Sequence, residues 1–133
     1  MHKLFTDGGS RGNPGHSGIG IVCLNKDNEK VFKFKKYIGI NTNNQAEYVA
    51  LLQGIKTCVK KGIKNLNCFA DSELMVKQLN GEYKMKNAGL KPLYRQVKEM
   101  KKSFKSITFN HVPRAKNKIA DSLVNQALDE YLS

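Results

Sequence analysis

The sequence predicts an α/β fold with a mixed five-stranded sheet: a three-stranded antiparallel meander, then two parallel strands, flanked by helices. Three observations carry this. The first forty residues hold three apolar, β-branched or alternating runs joined by short turn signals. Beyond residue 43 the apolar period becomes helical. Helical stretches then alternate with two short strand-like runs. The 133 residues contain no repeat, low-complexity tract or linker, so one domain over 1–133 is expected.

Lys3–Asp7 reads as the first strand. The glycine-rich run after it (GGSRGNPG) reads as a tight turn with exposed N–H groups, because glycine takes backbone angles closed to other residues. Gly18–Leu24 (GIGIVCL) is the second strand, ended by the turn signal Asn25-Lys26-Asp27-Asn28. Val31–Ile38 is the third, with Phe32 and Phe34 on one face and Val31, Lys33, Lys35 and Tyr37 on the other. A polar patch precedes a helix from about Asn44 to Lys61, striped by Tyr48, Leu51, Leu52, Ile55, Cys58 and Val59 and stopped by Gly62. Asn65–Ala70 (NLNCFA) is the fourth strand; it ends on Asp71 and leads into a short helix over Ser72–Leu79.

Tyr83–Pro92 is basic and irregular. A helix over Leu93–Lys102, a strand over Ser106–Val112, a loop over Pro113–Asn117 and a helix over Lys118–Leu132 complete the chain. A strand reached from a meander by a helical crossover normally runs parallel to one of its members. Pairing the fourth strand with the first would put Asp7 and Asp71 at the carboxyl ends of adjacent parallel strands, where open α/β sheets place their ligands.

Lys plus Arg outnumber Asp plus Glu 23 to 11, a net charge of +12 that points to a polyanionic partner, most commonly nucleic acid. No helix combines a basic face with an aromatic anchor stripe, which argues against a membrane surface. The chain has no run of 18 apolar residues and no signal-peptide pattern, so a soluble, cytoplasmic protein is expected. Cys23, Cys58 and Cys68 are odd in number, far apart and set among apolar neighbours. They read as buried thiols in a reducing compartment, not as disulfides or a zinc site.

Four carboxylates stand out, each with an ordinary structural alternative. Asp7 follows an apolar strand but also opens a turn. Glu47 lies at the margin of an apolar helix stripe, yet with Asn44 as N-cap it would close a capping box. Asp71 mirrors Asp7 at the end of the fourth strand and could equally cap the next helix. Asp121 borders the stripe of the last helix, where a solvated acid beside Lys118 is commonplace. Together, in a chain short of acids, they gain weight. Four converging carboxylates repel one another by several kcal/mol, and a divalent cation removes that cost. All-oxygen ligands select a hard ion, Mg²⁺ or Mn²⁺, and two such ions could activate a water and stabilise the leaving oxygen of a phosphodiester.

The stretches TDGGSRGNPG with GIG, TNNQAEYVAL, ADSELMVKQL and NKIADSLVNQAL occur in order from residue 6 to residue 128. In these the chain resembles a type 1 ribonuclease H, a family that cuts the RNA strand of RNA–DNA hybrids. The resemblance implies that Asp7, Glu47, Asp71 and Asp121 form a metal-binding quartet for two Mg²⁺ ions, with Mn²⁺ as a substitute. It further implies in-line attack by water, leaving a 5′-phosphate and a 3′-hydroxyl. By position, Asn13, Asn43 and Asn44 would contact the minor groove of the hybrid. Gly8, Gly9 and Ser10 would approach the 2′-hydroxyls that separate RNA from DNA. Glu73 would read the RNA strand, and Thr42 with Asn87 would form a pocket for a DNA-strand phosphate. The expected partner is the RNA–DNA hybrid, met by a monomer without an obligate protein partner.

The chain departs from the family pattern in two places. The loop before the last carboxylate is PRAKNK and carries no histidine. Arg114 is the stand-in expected to approach the departing phosphate; Asn117 is a second candidate that also suits a helix N-cap. His111 falls in the fifth strand, and His2 and His16 read as surface residues. The basic helix-and-loop handle of larger relatives is also missing, only Asn80–Pro92 filling its place, and no separate hybrid-binding domain is expected before residue 1. Substrate grip then falls to Lys84, Lys86, Lys91, Lys98, Lys101, Lys102 and Lys105. Integrase-like or resolvase-like nucleases, a hybrid-binding module without chemistry, and a domain excised from a reverse transcriptase are the competing readings.

Overall fold

The structure is a computed structural model and describes residues 1–133. In chain order the elements are β1 (His2–Gly12), β2 (Gly15–Leu24), β3 (Lys30–Asn41), α1 (Asn43–Lys60), β4 (Asn65–Ala70), α2 (Glu73–Leu79), α3 (Lys91–Met100), β5 (Ser106–His111) and α4 (Lys118–Leu132). Short 3₁₀ turns cover Lys101–Ser103 and Arg114–Lys116. The sheet order is β3-β2-β1-β4-β5. The β1–β2 and β2–β3 pairs are antiparallel, and the β1–β4 and β4–β5 pairs are parallel. The mixed five-stranded sheet is therefore as expected.

The glycine run is a correction. β1 does not end at Asp7; it continues through Gly8, Gly9 and Ser10, which pair with Ile19, Gly18 and Ser17 of β2. The turn comes later, at Asn13-Pro14, with Gly12 before it at φ +92°. The physical reason is crowding, not flexibility. A Cβ on Gly8 would lie 2.1 Å from the Ala46 carbonyl oxygen of α1, and one on Gly20 would lie 2.2 Å from the Ala120 carbonyl oxygen of α4. These positions are side-chain-free because two helices press their backbones onto the meander, one on each face. Gly9, next along β1, faces Val124 of α4, as strand alternation requires.

The larger core lies between the sheet and α1 with α2 and α3, and includes Leu4, Ile19, Ile21, Tyr48, Leu51, Ile55, Leu66, Met75 and Val97. The α4 stripe, Ala120, Leu123, Val124, Ala127 and Leu128, is buried against the other face, chiefly over β2. The three cysteines are free and buried, and burial pushes the Cys68 thiol above its ordinary range. No helix is long and apolar enough to cross a membrane.

The α1 cap differs from expectation. The N-cap is Thr42, not Asn44. Its hydroxyl oxygen accepts from the Gln45 amide while the Gln45 side chain accepts from the Thr42 amide, a complete capping box. Glu47 is two positions further on and free of capping duty. His16, expected on the surface, is half-buried, its Nδ1 2.7 Å from the Tyr37 hydroxyl. His111 is exposed at the end of β5.

Candidate active site

The β1–β4 ladder ends at the Phe5–Phe69 pair. Past that point β1 stays paired with β2, while β4 stops at Ala70 and the chain bends at Asp71. The two strands diverge there, and the α1 and α4 N-termini flank the opening. The Asn117 side chain plugs it from below: its Nδ2 donates to the Thr6 carbonyl at 2.9 Å, and Asn117 and Thr6 are both fully buried. Asn117 stands at the N-cap position of α4, but its side chain makes no cap bond and instead ties the start of that helix to β1. Asp121 lies one turn further along α4.

At this opening Asp7, Glu47 and Asp71 come together, with carboxylate oxygens within 4.8 Å of one another. The Gly8 amide donates to Glu47 Oε1 at 2.8 Å, which aims that side chain along β1. Burial raises Asp7 from 3.8 to about 7, with the charges of Asp71 and Asp121 adding to the effect. Burial likewise lifts Glu47 well above the usual carboxylate range, and the neighbouring Asp7 charge lifts it further. Asp121 is on the same rim, its Oδ1 3.3 Å from an Arg114 nitrogen. Crowded acids with no internal cation except one exposed arginine form an oxygen-only donor set suited to a hard divalent ion.

These residues line a groove of about 420 Å³ together with Gly8, Gly9, Ser10, Arg11, Asn43, Asn44, Ser72, Arg114, Val124, Asn125 and Leu128. Asn43 and Asn13 interlock at its rim: Asn43 Oδ1 accepts from the Ser10 amide at 2.8 Å, and Asn13 Oδ1 accepts from the Asn43 amide at 3.0 Å. The Gly8 and Ser10 amides are thus committed to protein acceptors, which corrects the expectation of exposed N–H groups there.

Four expected contacts lie outside the groove lining. Asn13 is at the hairpin tip, and Glu73 is exposed and pairs with Lys77 at 2.8 Å. Thr42 caps α1, and Asn87 closes a turn by accepting from the Gly89 and Leu90 amides. That turn packs beside Gln45, since a Cβ on Gly89 would lie 3.4 Å from Gln45 Nε2. Thr42 and Asn87 are therefore brought into one neighbourhood. Arg11, Ser72 and Asn125 also line the groove, and no motif in the sequence points to them.

Comparison with known proteins bears on this arrangement. Residues 5–127 match a family model described as reverse transcriptase-like. The crystal structure of RNase H1 from the archaeon Halobacterium salinarum superposes with a TM-score of 0.94 at 36% identity, covering 97% of this chain and 98% of that one. The chain belongs to the ribonuclease H family. LC11-RNase H1, solved in complex with an RNA/DNA hybrid, superposes on this ribonuclease H chain with a TM-score of 0.96 at 38% identity, covering all of both chains. A bifunctional protein of Mycobacterium tuberculosis is 43% identical over 127 residues, which are 95% of this chain and 35% of that protein. The chain thus spans about a third of the length of its mycobacterial relative, and 65% of the ribonuclease HI of Halobacterium salinarum.

Proposed function

We propose that this chain, as one ribonuclease H domain, is an endonuclease that hydrolyses the RNA strand of RNA–DNA hybrids and leaves 5′-phosphate and 3′-hydroxyl ends. The convergence of Asp7, Glu47 and Asp71 oxygens within 4.8 Å, inside a groove on a chain of net charge +12, carries the reading. The hybrid complex of LC11-RNase H1, similar over its whole length, supports the substrate class.

The donor set fits divalent ions: all ligands are oxygens, and burial raises Asp7 and Glu47, so a bound cation competes with their protons. Asp7, Glu47, Asp71 and Asp121 would hold them, Mg²⁺ in two positions or Mn²⁺ in its place. Such ions supply Lewis-acid activation of water and neutralise charge at the leaving oxygen. The remaining work falls to the protein. Glu47, fixed by the Gly8 amide, and Asp7, fixed by sheet pairing, set the position of the scissile phosphate over β1. Arg114, exposed and paired with Asp121, is the cation that would accompany the departing phosphate. Gly9 and the Ser10, Asn43, Asn44 and Asn13 rim faces the minor groove and its 2′-hydroxyls. Thr42 keeps its hydroxyl proton and Asn87 its amide donors, enough to take a DNA-strand phosphate, and Glu73 flanks the RNA strand. The buried free thiols suit a reducing, cytoplasmic compartment, and the reading is of a monomer.

The test offers labelled RNA–DNA hybrid, double-stranded RNA and double-stranded DNA to the protein with Mg²⁺, Mn²⁺ or chelator. Metal-dependent cutting of RNA in the hybrid alone, abolished in Asp71→Asn, is expected. Cutting of double-stranded DNA would replace this reading with an integrase-like one, and binding without cutting would replace it with a hybrid-binding module.

A further inference from the structure

The cations of the groove are unlike those of the rest of the surface. The chain has 3 arginines and 20 lysines; two of the arginines, Arg11 and Arg114, line the groove, and no lysine does. They stand at opposite ends of it. Arg114 pairs with Asp121 in the first turn of α4. Arg11, near the tip of the β1–β2 hairpin, reaches α4 two turns further along. Its Nη2 is 2.7 Å from Asp129 Oδ1 and 3.4 Å from Asn125 Oδ1. Both contacts use the same nitrogen, which leaves Nε and Nη1 without a protein partner. The guanidinium is thus held in place by two acceptors while most of its donors remain free, and its side chain is 41% exposed.

We infer that Arg11 is a substrate-positioning residue that takes a backbone phosphate of the RNA strand on the side of the scissile bond away from Arg114. The inference rests on the proposed hybrid nuclease activity. Arginine suits the task because its planar fork can meet two phosphate oxygens at once. The eight helical residues from Asp121 to Asp129 span about 12 Å. Along a duplex strand rising about 3.4 Å per nucleotide, that is roughly three to four nucleotides from the acidic cluster. Asp129 and Asn125 serve as the anchors that keep the guanidinium aimed along the groove.

Fastening the hairpin to α4 is the competing role for Arg11, and the structure supplies that fastening independently. Lys35 Nζ bonds Glu130 at 2.6 Å and Gln126 at 3.3 Å. The Tyr37 and Tyr131 rings stack with centroids 3.5 Å apart, and His16 packs against both. Lys35 and Tyr37 of β3 and His16 of the hairpin thus hold α4 on the sheet without Arg11, which remains the groove's only cation at this end.

The experiment measures steady-state cleavage of one hybrid sequence whose RNA strand is lengthened stepwise on either side of the main cut, for wild type, Arg11→Ala, Arg11→Lys and Asp129→Ala. In the wild type, lengthening on one side past roughly three to four nucleotides should lower KM. In Arg11→Ala that length effect should vanish and KM should rise about tenfold, as for a lost charged hydrogen bond, with kcat unchanged. Its salt dependence should lose one phosphate contact, about 0.9 in log–log slope. Arg11→Lys should recover part of the loss, and Asp129→Ala, which frees the arginine without removing it, should keep the length effect. Equal impairment of Arg11→Ala and Asp129→Ala would make the pair a structural latch and overturn the inference. Wild-type KM in Arg11→Ala would overturn it too. A wild type that cuts no hybrid would instead bring down the nuclease reading beneath it.

Discussion

Neutralising Asp7 should stabilise the metal-free protein, and the gain should depend on pH. Asp7 is raised from 3.8 to about 7 by burial and by the Asp71 and Asp121 charges. At about 1.36 kcal/mol per unit, the roughly three-unit rise is worth about 4 kcal/mol. The sign follows from which state ionises first. Below pH 3.8 both folded and unfolded forms carry the proton and nothing is lost. Between pH 3.8 and about 7 the unfolded chain gives up its proton more readily, so stability falls as pH rises, and above about 7 the penalty is constant. Linkage puts the penalty at about 1 kcal/mol at pH 4.5 and about 4 kcal/mol at pH 8. Urea unfolding with chelator present should therefore show Asp7→Asn more stable than wild type, by about 3 kcal/mol more at pH 8 than at pH 4.5. Adding Mg²⁺ at 100 times its dissociation constant should restore about 2.7 kcal/mol to wild type and little to the variant. A variant less stable than wild type at pH 8, or a difference that ignores pH, would show that Asp7 serves the fold and that the acids do not strain it.

Four further outcomes follow from the geometry. Gly8→Ala places a Cβ 2.1 Å from the Ala46 carbonyl oxygen, so α1 must shift. Thermal unfolding should report a loss of about 3 kcal/mol or more, and calorimetry a weakened divalent site as Glu47 moves with the helix. Asn117→Ala removes the donor to the Thr6 carbonyl and should cost about 1–3 kcal/mol in urea unfolding. Thr42→Ala deletes the α1 cap for about 1 kcal/mol, and a rise in KM beyond that stability change would mark the DNA-phosphate pocket. Arg114→Ala should lower steady-state kcat roughly tenfold while leaving the single-turnover rate unchanged, and equal losses in both would place Arg114 in the chemical step instead.

Much of the fold was legible because the helical period is clean. The helical stripe from Tyr48 to Cys58 survives in the structure, and a strand forms over Val31–Ile38, but its alternation does not hold: Phe34 is exposed while Lys35 and Tyr37 of the opposite set are half-buried. The glycine run is ambiguous in sequence because one residue type carries two messages. A glycine required by a tight turn and a glycine required by a helix backbone 2.1 Å from where its Cβ would sit are identical in sequence; only the partner element distinguishes them. Thr42 and Asn44 are both good N-caps, and the choice between them turns on where β3 ends, so the sequence alone puts the α1 cap two residues late. The acids were legible as a set through the strand ends and stripe margins they occupy. Arg11 and Asn125 were not, although Asn125, four residues after Asp121, shares its helix face. The unequal use of arginine and lysine was the available signal for Arg11, and it acquires meaning only once the groove lining is known.

The site also explains why the same fold needs those glycines. A carboxylate cluster is destabilising unless a cation fills it, so the scaffold must hold Asp7, Glu47 and Asp71 together against their own repulsion. Sheet pairing fixes Asp7, the end of β4 fixes Asp71, and the Gly8 amide fixes Glu47. The last of these depends on a helix approaching β1 more closely than any side chain would permit. The bare backbone at Gly8 brings Glu47 in from one face, and that at Gly20 brings the start of α4, with Asp121, in from the other. Asn117 then closes the gap left where β4 leaves β1, at a point where an apolar side chain would strand the Thr6 carbonyl. Stability is thus given up locally to preorganise negative charge, and the loss should be recovered when a divalent ion binds. Close packing at the two glycines and charge at the acids are parts of one arrangement, so Gly20→Ala should disturb metal binding through Asp121 without touching a single ligand.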